Sequence, residues 1–144
     1  MLIICLITFL SFISCSRETE PLNFGTDICE HCKMTIMDKK FGGEIITGKG
    51  KIYKFDALEC QVKFELENFS DERIESYAIN FYVPGELINT ANSSFVISDN
   101  ISSPMGGNLG AFSNRSEAEK FIKENGGEIY DLNSLKKKFN KTIN

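Results

Sequence analysis

Gly43-Glu44-Ile45-Ile46-Thr47-Gly48-Lys49-Gly50-Lys51-Ile52-Tyr53-Lys54-Phe55-Asp56 is the stretch whose reading decides the fold. Two short apolar-rich runs flank a Gly-Lys-Gly turn. Glycines accept the positive φ that tight turns need, so this stretch predicts an antiparallel hairpin of residues 43–47 and 51–55. Asp56 followed three residues later by Glu59 has the form of a capping box. A helix is expected next. Leu58, Val62, Leu66 and Phe69 fall on one of its faces, and Ala57, Cys60 and Phe64 on a second. A helix apolar on two sides is expected to be covered on both. Residues 77–83 then read as a strand, stopped by Pro84-Gly85.

Outward from this unit the pattern recurs. Residues 94–98 read as a strand, residues 99–107 as a longer loop, and residues 109–112 as the partner strand. Asn114 with Glu117 caps a helix that buries Ala118, Phe121 and Ile122. Gly126-Gly127 ends that helix. A short strand, 128–130, and a last helix, 132–139, docked by Leu135 and Phe139, complete the chain. Both units read β-β-α-β, and neither alone buries much. They are expected to pack as one α+β body, the first over 25–85 and the second over 86–144.

Composition narrows the function. The net charge is −4 and spread evenly, so nucleic acid is not an expected partner. The Lys136-Lys137-Lys138 run reads as a solvated helix face. Residues 1–14 are almost wholly apolar. They are shorter than the about 20 residues needed to span a bilayer, and have the length and position of a secretory signal. A small residue followed by Cys15 at the end of this run resembles a bacterial lipobox. The expectation is a cleaved leader, a lipidated Cys15, and residues 15–24 as a tether from an extracytoplasmic, periplasmic-side membrane surface. Each buried CH₂ of the lipid contributes about 0.8 kcal/mol. Cys5 lies in the leader.

Three cysteines remain: Cys29, Cys32 and Cys60. An odd, small number does not make a disulfide framework and leaves a thiol for metal or redox chemistry. Cys29, Cys32 and Met34 form a C-x-x-C-x-M, and Met105 sits far away between Pro104 and two glycines. Thiolate and thioether are the ligands that favour monovalent copper over hard cations. If the segment is extended, Cys32 and Met34 point the same way with Cα atoms roughly 6.5–7 Å apart, within reach of one ion. Cys32 and Met34 are thus the main candidate ligands, Met105 a closing ligand, and Cys29 and His31 auxiliary donors. Met37 is expected to pack under the hairpin, and Cys60 to be a small buried hydrophobe. The C-x-x-C alone also fits a thiol-disulfide oxidoreductase or half a zinc site.

Taken together, the lipobox-like Cys15, the Cys29-x-x-Cys32-x-Met34 segment, Tyr53-Lys54-Phe55-Asp56 with Cys60 after it, and Pro104-Met105-Gly106 running into Leu109-Gly110-Ala111-Phe112 resemble the NosL family. The resemblance covers nearly all of the chain after the leader. It implies a two-unit architecture similar to that of the organomercurial lyase MerB. It implies a copper(I)-handling lipoprotein rather than an enzyme, with the ion near Cys32, Met34 and Met105. The implied partners are a copper-accepting enzyme, nitrous oxide reductase, and its maturation transporter. Family members often carry Gly where Lys33 stands and an aromatic where His31 stands. A lysine at 33 is expected to lower the Cys32 pKa. Lyase chemistry on a carbon–mercury bond is a further alternative on fold likeness alone.

Overall fold

The computed structural model describes residues 18–69 and 72–143. The leader, Cys5 and Cys15 lie outside the described residues. The elements run β1 (Gly43–Thr47), β2 (Ile52–Phe55), α1 (Leu58–Asn68), β3 (Ile74–Ile79), β4 (Leu87–Asn89), a 3₁₀ turn (Thr90–Asn92), β5 (Ser94–Ile97), β6 (Leu109–Phe112), α2 (Arg115–Asn125), β7 (Glu128–Tyr130) and α3 (Leu132–Ile143). Two antiparallel sheets result, ordered β2-β1-β3-β4 and β6-β5-β7. In both, the first strand of the unit lies between its second and third. The ββαβ pattern read from the sequence is therefore present twice, as an α+β fold. No helix among the described residues is long and apolar enough to cross a membrane.

Beta-strand β1 is central and buried along its length. Gly43 on β1 is required by close approach: a Cβ there would lie 2.2 Å from the Tyr77 carbonyl oxygen and 2.3 Å from Gln61 Oε1. That approach lets Gln61 of α1 reach over the sheet. Its Nε2 donates to Ser76 Oγ at 2.7 Å and to the Tyr77 carbonyl at 3.0 Å. These two bonds pair the buried Nε2 donors and fix helix against sheet, since leaving donors unpaired would cost about 1–3 kcal/mol, while Oε1 stays buried without a partner.

Helix α1 is covered on both sides, as expected, but Phe69, read with Leu58, Val62 and Leu66, is its C-cap and turns instead to Tyr53 and Phe64 on the other side. Cys60 and Phe64 pack with Cys29, Ile36, Ile45 and Phe55 in one cluster. Leu58, Val62 and Leu66 pack with Phe95, Leu109, Ala111 and Leu135 in another. Each fully buried side chain of this kind contributes about 1.5–3 kcal/mol. A third cluster joins Val96 and Phe112 to Ala118 and Phe121 of α2. Strand alternation explains the division, with Phe95 and Val96 facing opposite sides of the second sheet. The sheets meet at one parallel bridge, Asn80 to Ala111, where the Phe81 N–H donates to the Ala111 carbonyl at 2.8 Å.

Several local expectations are corrected. The helix N-cap is Ala57, which makes no side-chain cap bond, instead of Asp56. Asp56 Oδ1 accepts the Met37 N–H at 3.4 Å, and Glu59 bonds the hydroxyl of Ser103. By contrast Asn114 caps α2 by accepting the Glu117 N–H at 3.0 Å. The third strand spans Ile74–Ile79, earlier than read. After Pro84-Gly85 the chain turns back, and Leu87–Asn89 joins the first sheet as β4. Met37 is 66 % exposed and packs under nothing. The lysine run is only partly solvated, since Lys136 pairs with the buried Glu65.

The N-terminal segment is clasped to the first sheet. Lys54 Nζ lies 2.8 Å from Asp27 Oδ2 and donates to the Pro21 carbonyl at 3.1 Å. Beside it, the buried Glu44 carboxyl accepts the Glu20 N–H at 3.2 and 3.3 Å. Burial raises this carboxyl to about 7, against the pull of the Glu20 N–H and Lys54. A pKa raised on folding adds stability that is full below the ordinary value near 4.5 and is lost as pH rises through about 7. Glu44→Gln cannot ionise. It is expected to raise stability at pH 8 by on the order of 2 kcal/mol and to change little at pH 4. Urea unfolding at the two pH values checks this.

Candidate metal centre

The segment before β1 builds a small hairpin. Ile28 bridges Thr35, the Cys29 N–H donates to the Met34 carbonyl at 2.8 Å, and the Lys33 N–H donates to the Cys29 carbonyl at 3.0 Å. The Glu30 N–H seats this turn on β2 by donating to the Lys54 carbonyl at 2.8 Å. Cys29 and Ile36 anchor it in the first core cluster. Helix α1, fixed by Gln61, delivers Cys60 from the other side.

The outcome is a triangle of sulfur. The Sγ atoms of Cys29, Cys32 and Cys60 all lie within 4.8 Å of one another. All three are free thiols; Cys29 and Cys60 are buried and Cys32 is half-buried at the rim. Three sulfurs around one ion at a metal–sulfur distance of ~2.3 Å are separated by about 4 Å, so the triangle has the size of a trigonal site.

The hydrogen bonds within the cluster favour ionisation of Cys29 over its two neighbours. The Cys29 thiol is lowered to about 4, first by the Cys60 S–H donating to it, then by the backbone N–H groups of Asp56 and Cys32. Burial opposes this. The Cys60 thiol is raised because its proton is held by Cys29 and because it is buried. Cys32 is raised by burial, with the Cys29 charge adding to it, while the Met34 N–H bond to its sulfur opposes. Burial also raises the nearby Asp56 carboxyl, with the Cys29 charge adding to it. The positive charge of Lys33 therefore does not lower the Cys32 pKa as expected. Its ammonium is turned to Glu30, 3.2 Å away, and is largely exposed.

Cys32 to Met34 is a turn, and not the extended segment the spacing argument assumed. Lys33 sits at φ +62°, the left-handed region. A residue with a Cβ there costs about 1–2 kcal/mol, and glycine's extra chain entropy offsets part of that. Lys33→Gly is expected to raise stability by about 0.5–1 kcal/mol, seen as a higher denaturation midpoint.

The remaining candidates are placed as follows. Met34 is 53 % exposed, just beyond Cys32 on the same turn. His31 Nε2 lies 3.7 Å from Glu67 Oε2, its Nδ1 is buried without a partner, and it stands outside the sulfur triangle. Met105 is 41 % exposed in the 98–108 loop. It lines a cavity of about 270 Å³ with Glu59, Lys63, Ile97 and Phe139, and no cysteine lines that cavity. Cys60 is the member that sequence reasoning set aside as packing. It is buried, as read, and it is also the donor that ionises Cys29. The leftover odd thiol was the signal for it.

A C-x-x-C turn laid against a helical third cysteine, in a paired ββαβ frame, defines a small α+β protein whose three clustered thiols are close enough to hold one metal ion. The NosL family model matches residues 24–139. The chain belongs to the NosL family. It is similar to the crystal structure of the copper chaperone NosL from Shewanella denitrificans, with 24 % sequence identity, a TM-score of 0.69, and coverage of 82 % of this chain and 95 % of that one. Likeness at that identity bears on the fold. No curated protein matches the sequence.

Proposed function

We propose that the protein is a copper(I) chaperone: it carries the ion as cargo and catalyses no reaction. The observation that carries this reading is the triangle of three sulfurs around one ionised thiol. Soft sulfur selects copper(I) from harder ions. Tetrahedral zinc needs a fourth ligand. The candidate group among the described residues offers three. The exposed thioethers of Met34 and Met105 suit transfer, because an acceptor can approach an ion bound near the surface before the buried thiols release it. The chaperone name of the Shewanella structure supports the reading.

In this reading Cys15 is lipidated and holds the domain at the extracytoplasmic face of a membrane. The client is a copper enzyme, with nitrous oxide reductase and its maturation transporter as partners. Anaerobic competition titration against a copper(I) chelator tests the core of it. Tight binding of one ion is expected; failure of wild-type protein to take copper from a weak chelator overturns it. Labelled fatty acid incorporated by the wild type and not by Cys15→Ser tests the anchor.

A second reading, thiol-disulfide exchange by Cys29 and Cys32, rests on the low pKa of Cys29. The full burial of that sulfur argues against it, since reactive thiols are partly exposed. Insulin reduction lost in Cys29→Ser would favour it.

A further inference from the structure

The domain grips its N-terminal segment close to the proposed anchor. Leu22 is buried in the first core cluster and Phe24 packs against it. Lys54 Nζ donates to the Pro21 carbonyl at 3.1 Å and lies 3.6 Å from Glu20 Oε2. The Glu44 carboxyl accepts the Glu20 N–H at 3.2 Å. The grip thus begins at Glu20, five residue steps after Cys15. Fully extended, five steps reach about 18 Å at most.

The same lysine bonds Asp27 at 2.8 Å, and Ile28 follows directly. Here the cysteine hairpin begins: Ile28 bridges Thr35, and the Ile36 N–H donates to the Asp27 carbonyl at 2.8 Å. Successive residues of an extended chain face opposite ways. Cys29 and Ile36 turn inward and are fully buried. Ile28 and Met37 turn outward and are 51 % and 66 % exposed. Met34, at the turn, is exposed as well. Apolar side chains facing water gain no burial, so core packing does not account for them.

We infer that the outward side of this hairpin, with Ile28, Met34 and Met37, is the surface that the anchored protein rests on a lipid bilayer. The inference rests on the lipid anchor at Cys15 proposed above. Chain length selects lipid as the occupant, because the gripped point stands no more than about 18 Å of chain from the anchor. Position selects it too, because the apolar side chains adjoin that point. Charge permits it: in a chain of net charge −4, residues 28–40 carry Lys33, Lys39 and Lys40 against Glu30 and Asp38. Anionic headgroups therefore do not repel this segment. A short tether keeps the local lipid concentration high, so a small apolar patch suffices. The rim of the sulfur triangle is thereby set at headgroup level, and the ion is exchanged there with a partner bound to the same membrane.

The chain has no tryptophan, so a single introduced one reports depth. Lipidated full chain carrying Met37→Trp or Lys120→Trp is placed on vesicles of phosphatidylethanolamine and phosphatidylglycerol with brominated acyl chains. Lys120 is exposed on α2, in the second unit. Met37→Trp is expected to be quenched about twofold or more, as for a ring ~5–10 Å into the interface, and Lys120→Trp is expected to keep its emission. Ile28→Asp in the Met37→Trp background should reduce the quenching to the Lys120→Trp level. So should insertion of about twenty Gly/Ser residues between Arg17 and Glu18, which lowers the effective lipid concentration. Circular dichroism verifies the fold of each variant, and if Ile28→Asp does not fold the insertion carries the comparison. Equal quenching of the two probes, or of neither on protein that sediments with the vesicles, overturns the docking face and leaves the anchor standing. Quenching of Met37→Trp that survives both changes also overturns it. Wild-type protein that takes up no labelled fatty acid and stays in solution overturns the anchor, and this inference with it.

Discussion

Cys29→Ser is expected to lower copper(I) affinity by more than the about 100-fold that loss of an outer support produces, because it removes the only ligand already ionised at neutral pH. The argument is local. The Cys60 S–H and the backbone N–H groups of Asp56 and Cys32 all converge on this sulfur. Serine keeps the shape but holds its proton, so the site loses its charge. Cys60→Ala is expected to fall nearly as far, since the helical thiol both donates to Cys29 and completes the triangle. Both variants are checked by anaerobic chelator competition, with far-ultraviolet circular dichroism to verify the fold. If Cys60→Ala binds as wild type while Cys32→Ser and Met34→Leu do not, the ion sits at the rim without the buried thiols.

Copper binding is expected to release about two protons at neutral pH, and apparent affinity should therefore rise about 100-fold per pH unit. The sign follows from the three thiols. Cys29, lowered to about 4, is ionised at pH 7 and has no proton to give. Cys32 and Cys60 are raised and still protonated, so each must lose a proton to bind as thiolate. Below about pH 4 Cys29 is protonated as well and the slope steepens. Calorimetry in buffers of different ionisation enthalpy counts the protons directly. A count of zero would place the ion on Cys29 and thioethers alone.

The parts of the fold legible in sequence were those set by local rules. The Gly48-Lys49-Gly50 turn, the Asn114 cap and, apart from the capping Phe69, the two apolar faces of α1 depend on neighbours within a few residues, and these stand as read. The missed features depend on distant partners. Beta-strand β4 is three residues long and exists only because β3 offers it an edge. Asp56 has the right spacing for a cap, but the Met37 N–H, nineteen residues away, takes its carboxylate. Cys60 has the composition of a core residue and becomes a site residue only when the Cys29–Cys32 turn folds onto α1. The left-handed conformation of Lys33 is invisible in a residue type that seldom adopts it. Where a cluster is assembled from separate segments, spacing names the candidates but does not choose among them.

The three cysteines of the sulfur triangle all precede residue 61 and belong to the first unit, whereas Leu58, Val62 and Leu66 wait for partners on β5, β6 and α3. A nascent chain emerging from its N-terminus would therefore place its thiols early, while one flank of α1 still faces water. That flank is greasy, and the segment able to shield it is synthesised last. Growing chains are thus exposed to self-association during the interval between thiol assembly and arrival of Leu135. Loss of the C-terminal helix should be felt first as poor yield.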